Sequence, residues 1–401
     1  MSEHILDTMD LRRLGQALQQ ARQKRGLTQA DAAKVIDVAR TTLTAIEKGE
    51  RRIKAEELTK LAAAYGRPVS DFVRTRPEIE PFEVQFRSVV RKTVEDDEQI
   101  IVAIDLLEAL CRNYLELEQL TGKPLVRNYP PIYQYAGLPT EAAAEGLAIA
   151  ERQRLGLGDG PIPILRNLLE QNVGLRIFYL PLEPSSKFSG IYFYEHNLGG
   201  CIAVNSYHPE ERCRWTLAHD YAHFLADRYK PRVLLEDQYQ RVPESERFAD
   251  DFARYFLMPT QALTQRFNAM YREKGRFTPA DLVKLAHYYG VSLEAMVYRL
   301  EGMKLIPSGV WERLKEKGFR VTDAKRQLGL DEIPTQRDKL PIGYQRLAVK
   351  AYNDERLSEG QLARFLQTDR LEARRLVLEA PWLAETGDED IIDHDVTELV
   401  I

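Results

Sequence analysis

The chain has 401 residues, 44% hydrophobic and 29% charged with both signs mixed, which suits two or three globular domains and excludes a disordered polymer. No apolar run of about 18 residues occurs, and MSEHILDTMDLRR has no apolar leader, so neither a membrane span nor export is expected and the default location is the cytoplasm. Cys111, Cys201 and Cys213 form no CxxC pair, are too few for a disulfide framework, and are expected as packed thiols. The net charge of -5 is uneven: basic residues outnumber acidic ones from Leu11 to Thr75, whereas positions 385–401 hold seven acidic residues and no Lys or Arg. The front suits a polyanion, and the tail suits solvent or a basic partner.

In chain order, Leu11, Leu14, Leu18 and Ala21 share a helical face, and Gly26 supplies the stop. Thr28 is an N-cap before QADAAKVI, a turn at Asp37 and Val38 leads into ARTTLTAIEKG, and Lys54 to Gly66 predicts a further helix. A compact helix-turn-helix places its second helix in the major groove, here starting near Ala39. Arg40 can bond phosphate or guanine, Thr41, Thr42 and Thr44 offer hydroxyls and methyls, and Gln29 can clamp a phosphate or an adenine edge. Lys48 and the Arg51, Arg52, Lys54 cluster would meet phosphates. Composition alone allows a helical protein-interaction bundle equally well.

The stretch GLTQADAAKVIDVARTTLTAIEKGERRIKAEELTKLAAAYG resembles the XRE/Cro/CI helix-turn-helix family, in which GLTQ opens the first helix of the pair and IExG closes the recognition helix. The resemblance implies a double-stranded DNA operator, read by a homodimer on a palindrome. It departs at Ala39, where serine is the usual cap, at a cost of roughly 1 kcal/mol.

RTRPEIEPFEVQFR is punctuated by proline and predicts a linker at 74–90. EDDEQIIVAIDLLEALCRNYLELEQLTG then predicts one long connecting helix, or a dimer seam with interrupted heptads. PIPILRNLLEQNVGLRIFYLPL reads as a helix and a strand, and FSGIYFYEH and GGCIAVN as two more strands. PEERCRWTLAHDYAHFLADRY is a helix with an apolar face, and SERFADDFARYFLM is the next, ended by Pro259. ADLVKLAHYYGVSLEAMVYRLEGMKLI supplies two helices, and the remainder is helical with a loop around PTQRDKLPIG.

Residues four apart on a helix differ by about 40° in direction and roughly 6 Å in height, so His219 and His223 project together and can share a zinc ion. A catalytic zinc needs a third protein ligand and an open position. Cys213 points about 120° away on the same helix, and His208, His196 and His287 lie in other segments. Glu246, at the entry of the following helix, is the expected third ligand. An isolated HxxxH pair is otherwise two packed or surface histidines.

TLAHDYAH followed by ERFADDFARYFLMP resembles the ImmA/IrrE family of metallopeptidase-like domains, which carry TLAHExxH and then ExxAxxFAxxLLMP. CIAVNSYHPEERCRWTLAH and GVSLEAMVYRLEGMKLI extend the likeness over 138–305. The resemblance implies His219, His223 and Glu246 as zinc ligands, and Asp220 in the place of the family's catalytic glutamate. Aspartate is shorter by one C–C bond, about 1.5 Å, while hydrogen-bond reach spans only about 2.6 to 3.2 Å. Metal binding should survive that change, and hydrolysis is left open. Asp220 can equally be a supporting or surface carboxylate. The HD dipeptide is also found in HD phosphohydrolases, but the additional spaced histidine and aspartate elements are missing.

RLAVKAYNDERLSEGQLARFLQTDRLEARRLVLEA, with Ser358 as a cap, reads as two short helices in a turn similar to another helix-turn-helix, or as a helical extension packed on the preceding domain. The expected fold class is multidomain α+β. It comprises an all-α helix-turn-helix domain at 1–75, a linker and connecting helix at 76–137, a zincin-like α+β domain with a small sheet at 138–305, and a helical C-terminal region with an acidic tail at 306–401. The leading expectation is a DNA-binding transcriptional repressor with a zinc-binding peptidase-like sensor domain. The alternatives are an active zinc metalloprotease that cleaves a repressor or partner protein, and a component of a phage-defence or toxin–antitoxin operon.

Overall fold

The computed structural model describes residues 10–67, 69–73, 98–182, 188–235, 243–330 and 340–379. The expected linker at 74–90, the acidic tail and most of the PTQRDKLPIG loop lie outside the described residues. The chain divides into two compact units, residues 1–77 and 78–401.

The regular elements among the described residues of the first unit are all helices: α1 (Leu11–Lys24), α2 (Gln29–Val35), α3 (Arg40–Glu47), α4 (Ala55–Ala64) and the short α5 (Ser70–Val73). Asp10 caps α1 through the backbone N–H groups of Arg12 and Arg13. Thr28 caps α2 in a reciprocal box with Asp31, which satisfies two helix-end donors at once. Ala39 makes no side-chain cap to α3, as its methyl dictates. Leu14, Leu18, Ala21, Leu43, Ile46, Leu58 and Leu61 meet in one core. Gly15 is where α1 crosses the end of α3: a Cβ there would lie 2.4 Å from the Glu47 carbonyl oxygen.

The second unit is built on a four-stranded sheet in the order β1-β3-β2-β4, with β1 Arg176–Leu180, β2 Phe188–Glu195, β3 Gly199–Asn205 and β4 Arg232–Leu235. β1 runs parallel to β3, while β2 is antiparallel to both β3 and β4. The sequence predicts three of these strands and misses β4, a four-residue element that exists because β2 offers it an edge.

Alternation splits the sheet residues between two cores. Ile177, Tyr179, Tyr192, Ile202 and Val204 face one, and Phe178, Leu180, Ile191, Phe193 and Ala203 face the other. Both faces are covered, so the strands read as continuous apolar runs. Over the second face lie α6 (Glu98–Thr121), α16 (Ile342–Asn353) and α17 (Glu359–Phe365), followed by α18 (Arg370–Glu379). The buried Cys111 and Cys201 meet there, sulfur to sulfur at 3.8 Å. Arg176 on β1 pairs with Glu118 of α6 at 2.5 Å, tying the connecting helix to the sheet.

The first face carries α7 (Thr140–Arg154), α8 (Leu165–Leu168), α9 (Glu210–Ala226), α10 (Glu244–Leu257), α11 (Thr260–Lys274), α12 (Pro279–Tyr289) and α13 (Leu293–Gly302), with α14 (Val310–Glu316) and α15 (Val321–Gln327) beyond. The sequence predicts one apolar face for α9. Instead, every residue from Cys213 to Leu225 except Trp215 is buried, because α9 lies between the sheet and α10. Among the described residues no helix is long and apolar enough to cross a membrane.

Candidate metal centre

α9 sets His219 and His223 one turn apart, and α10 brings Glu246 against them. His219 Nε2 lies 3.2 Å from Glu246 Oε2 and 3.2 Å from His223 Nε2, and His223 Nε2 lies 3.5 Å from the same Glu246 oxygen. Three donors on a tetrahedron with metal–ligand bonds of about 2.1 Å would be separated by roughly 3.4 Å. Two imidazole nitrogens and a carboxylate, all buried, therefore fit a zinc ion in both chemistry and spacing.

Two further side chains shape the cluster, and sequence reasoning missed both. His219 Nδ1 is 2.9 Å from Asp250 Oδ1, an arrangement that fixes the ring and leaves Nε2 facing Glu246. The signal for Asp250 was its position one turn after Glu246 on the same helix. Arg232, on the unanticipated β4, places Nη1 3.5 Å from the other Glu246 oxygen and neutralises part of its charge. Nothing in the local sequence marked it.

Without metal, burial would depress the His219 imidazolium, but its bonds to Asp250 and Glu246 prevail and hold its pKa at about 10. Burial would likewise raise Glu246, yet the two histidines keep it well below the ordinary carboxylate range. His223 is pushed down, by burial first and by the neighbouring His219 charge, against the pull of Glu246. The metal-free cluster thus favours the protonated form of His219.

Asp220 faces a different environment. It is 1% exposed, and its Oδ2 has no hydrogen-bond partner among the described residues. Burial raises its pKa to about 7, against the His219 charge and with Glu246 adding to the rise. Strand β2 closes over it at Gly190, where a Cβ would stand 2.9 Å from Oδ2 and 2.6 Å from the Thr216 methyl. The other histidines and Cys213 are elsewhere: His196 is exposed beyond β2, His287 is on α12, and Cys213 bonds the carbonyls of Asn205 and His208.

In the first unit, Arg40 and Thr41 are exposed at the start of α3, Thr42 and Thr44 are half-buried, and Lys48 is exposed at its end. Gln29 is held within the fold: its Nε2 donates to Glu47, which also pairs with the buried Arg22 at 2.6 Å, and Thr44 donates to its Oε1.

The helix-turn-helix family model matches residues 18–72, and the model of the IrrE N-terminal-like domain matches residues 170–301. No curated protein matches the chain. Among solved structures, ComR from Streptococcus suis is 12% identical, with 94% of this chain and 90% of that chain covered and a TM-score of 0.16. PlcR from Bacillus thuringiensis, in complex with the peptide PapR7 and DNA, is 13% identical, with 93% and 94% covered and a TM-score of 0.18. At such scores neither overlay bears on fold or function. The two family matches contain the two sets of site residues, so the chain joins an XRE-type helix-turn-helix segment at 18–72 to an ImmA/IrrE-type metallopeptidase-like segment at 170–301.

Proposed function

We propose that this protein is a DNA-binding transcriptional regulator, a repressor, in which the domain around His219, His223 and Glu246 holds zinc and acts as a sensor rather than as an efficient peptidase. The helix-turn-helix match and the exposed Arg40 and Thr41 at the start of α3 support operator binding. The proposed working form is a cytoplasmic homodimer on a palindrome, with α3 in successive major grooves.

The observation that carries the sensor reading is the burial of Asp220 beneath Gly190. A general base must reach within about 3 Å of the proton it takes, and this carboxylate is short, enclosed and covered by a strand. His219, His223 and Glu246 would hold the ion, Asp250 orients His219, and Arg232 steadies Glu246. Zinc held by His219, His223 and Glu246 would supply Lewis-acid polarisation, and its binding would stabilise the folded domain. A stress, ligand or partner that changes metal occupancy would then alter the state of the regulator.

The test pairs metal analysis, DNA binding and cleavage on the full chain. We expect about one zinc per chain, lost in His223→Ala, and operator affinity that shifts on chelation. Neither the native protein nor Asp220→Glu should cleave co-encoded proteins at an appreciable rate. Zinc-dependent cleavage with operator affinity indifferent to metal would replace the sensor with the metalloprotease alternative.

A further inference from the structure

Residues 357–373 follow, at one constant offset, the order of helix, turn and helix found in residues 27–43. Thr28 and Ser358 each open a seven-residue helix, α2 and α17, and each donates its backbone N–H to the side chain three residues on, Asp31 and Gln361; only Thr28 also accepts through its own hydroxyl oxygen. Each helix ends in a turn through a non-glycine residue in the left-handed region, Asp37 and Gln367, both at φ 54°. Lys304 and Glu355 end two other helices of this chain in the same way, so the left-handed residue is by itself an ordinary helix stop; the likeness lies in its place between two helices at one offset.

The two hydrogen bonds that close the turn correspond, in a pattern common to helix ends. Asp37 N–H to Lys34 O (3.2 Å) matches Gln367 N–H to Arg364 O (3.2 Å), and Val38 N–H to Ala33 O (3.1 Å) matches Thr368 N–H to Ala363 O (3.0 Å). Helices α3 and α18 then begin at Arg40 and Arg370. The inward residues also correspond: Ala32, Ala33, Ile36 and Leu43 in one, Leu362, Ala363, Leu366 and Ala373 in the other.

The geometry points to a second DNA-contacting helix-turn-helix, α17–α18, with α18 as its groove-facing helix. This goes beyond the family match, which covers only 18–72 among these elements, and it rests on reading α3 as a DNA reader. The outward face of α18 carries Arg370, Leu371, Arg374 and Arg375, all exposed. Arg370, at the first helical position, is placed as Arg40 is, to reach guanine or phosphate. Leu371, 80% exposed, offers methyl groups to a thymine methyl. Glu372 donates its backbone N–H to the Asp369 cap at 2.8 Å, so α18 is capped where α3 is not.

Arg374 and Arg375 are paired with Glu359 and with Glu372 and Glu379. Exposed pairs of this kind are worth about 0–1 kcal/mol, so exchange onto phosphates is cheap. Each chain would then bring two contacts to its operator, one from each unit.

The experiment uses the full-length protein and a duplex selected by it from a random pool, mapped by hydroxyl-radical footprinting. Arg370→Ala with Arg375→Ala should erase a discrete protected tract, weaken binding at least about tenfold and flatten the salt dependence by about one to two contacts. Arg40→Ala should erase a different tract. Leu371→Gln, at an exposed position, is a milder probe should the double variant melt early. An unchanged footprint and affinity in the α18 variants overturns the proposal. So does a changed oligomeric state by light scattering with DNA binding intact, which would mark α18 as a protein seam. If the α18 tract persists while Arg40→Ala changes nothing, the reading of α3 fails instead, and if no duplex is selected both fail.

Discussion

Nδ1 of His219 lies 2.9 Å from Oδ1 of Asp250, and that contact decides which ring nitrogen is presented to Glu246 and His223. Carboxylates behind ligating histidines are typically worth about 10- to 100-fold in metal affinity. Asp250→Ala is therefore expected to weaken zinc binding by that factor while leaving DNA affinity of the metal-loaded protein unchanged. Competition against a chromogenic chelator measures it, and equal zinc affinity in the variant would remove Asp250 from the centre.

If the centre holds zinc as proposed, zinc and a proton would compete for His219. Its pKa of about 10 without metal means that loading the site at neutral pH displaces roughly one proton, so affinity should rise about tenfold per pH unit below that value. Calorimetry in buffers of different ionisation enthalpy reports the released proton. For the metal-free protein the sign is opposite. A histidine raised from 6.5 to about 10 contributes stability that is full below 6.5 and is lost as pH rises toward 10. Chelated protein should accordingly melt earlier at pH 9.5 than at pH 7, a loss His219→Gln should largely abolish.

Gly190→Ala places a Cβ 2.6 Å from the Thr216 methyl and 2.9 Å from Asp220 Oδ2. With the backbone oxygen of Ala203 also 3.3 Å from that Cβ, the strand cannot yield easily, and overpacking of this kind costs about 1–3 kcal/mol. A lowered thermal midpoint with DNA affinity retained at low temperature is expected. Unchanged stability would mean that β2 does not press on Asp220.

Arg22 and Glu47 form a buried ion pair that also anchors Gln29. Removing one partner of such a pair costs about 3–5 kcal/mol because the other charge is left uncompensated. Glu47→Ala should unfold the first unit at lower denaturant while the second unit's transition stays in place. A single shared transition that moves as one would contradict two independent units.

At the start of α3, Arg40→Ala with Thr42→Ala should reduce binding to a selected duplex more than to random DNA. An equal loss on both would confine these residues to phosphate contacts.

The short-range features were legible before any coordinates. Glycine stops and the Thr28 cap delimit α1 to α3, and a spacing of four puts His219 beside His223, because helix geometry depends on local dihedrals alone. Glu246 was within reach because the chain returns to α9 soon afterwards.

Other features arise between segments distant in sequence. β4 forms only on the edge that β2 provides, and it carries Arg232 to Glu246. Gly190 and Asp220, on β2 and α9, become neighbours only when the sheet lies on the helix, and that approach turns a carboxylate with a plausible catalytic place into an enclosed one. The two short helices around Gln367 were legible from the Ser358 cap, but the left-handed backbone at Gln367, with no glycine there, was not. Sequence by itself thus determined the helices, their caps and the candidate metal-ligand residue types, which follow from local periodicity and side-chain chemistry. Tertiary structure decided which groups touch and which are shut from solvent, because burial and contact depend on how segments far apart in the chain pack together.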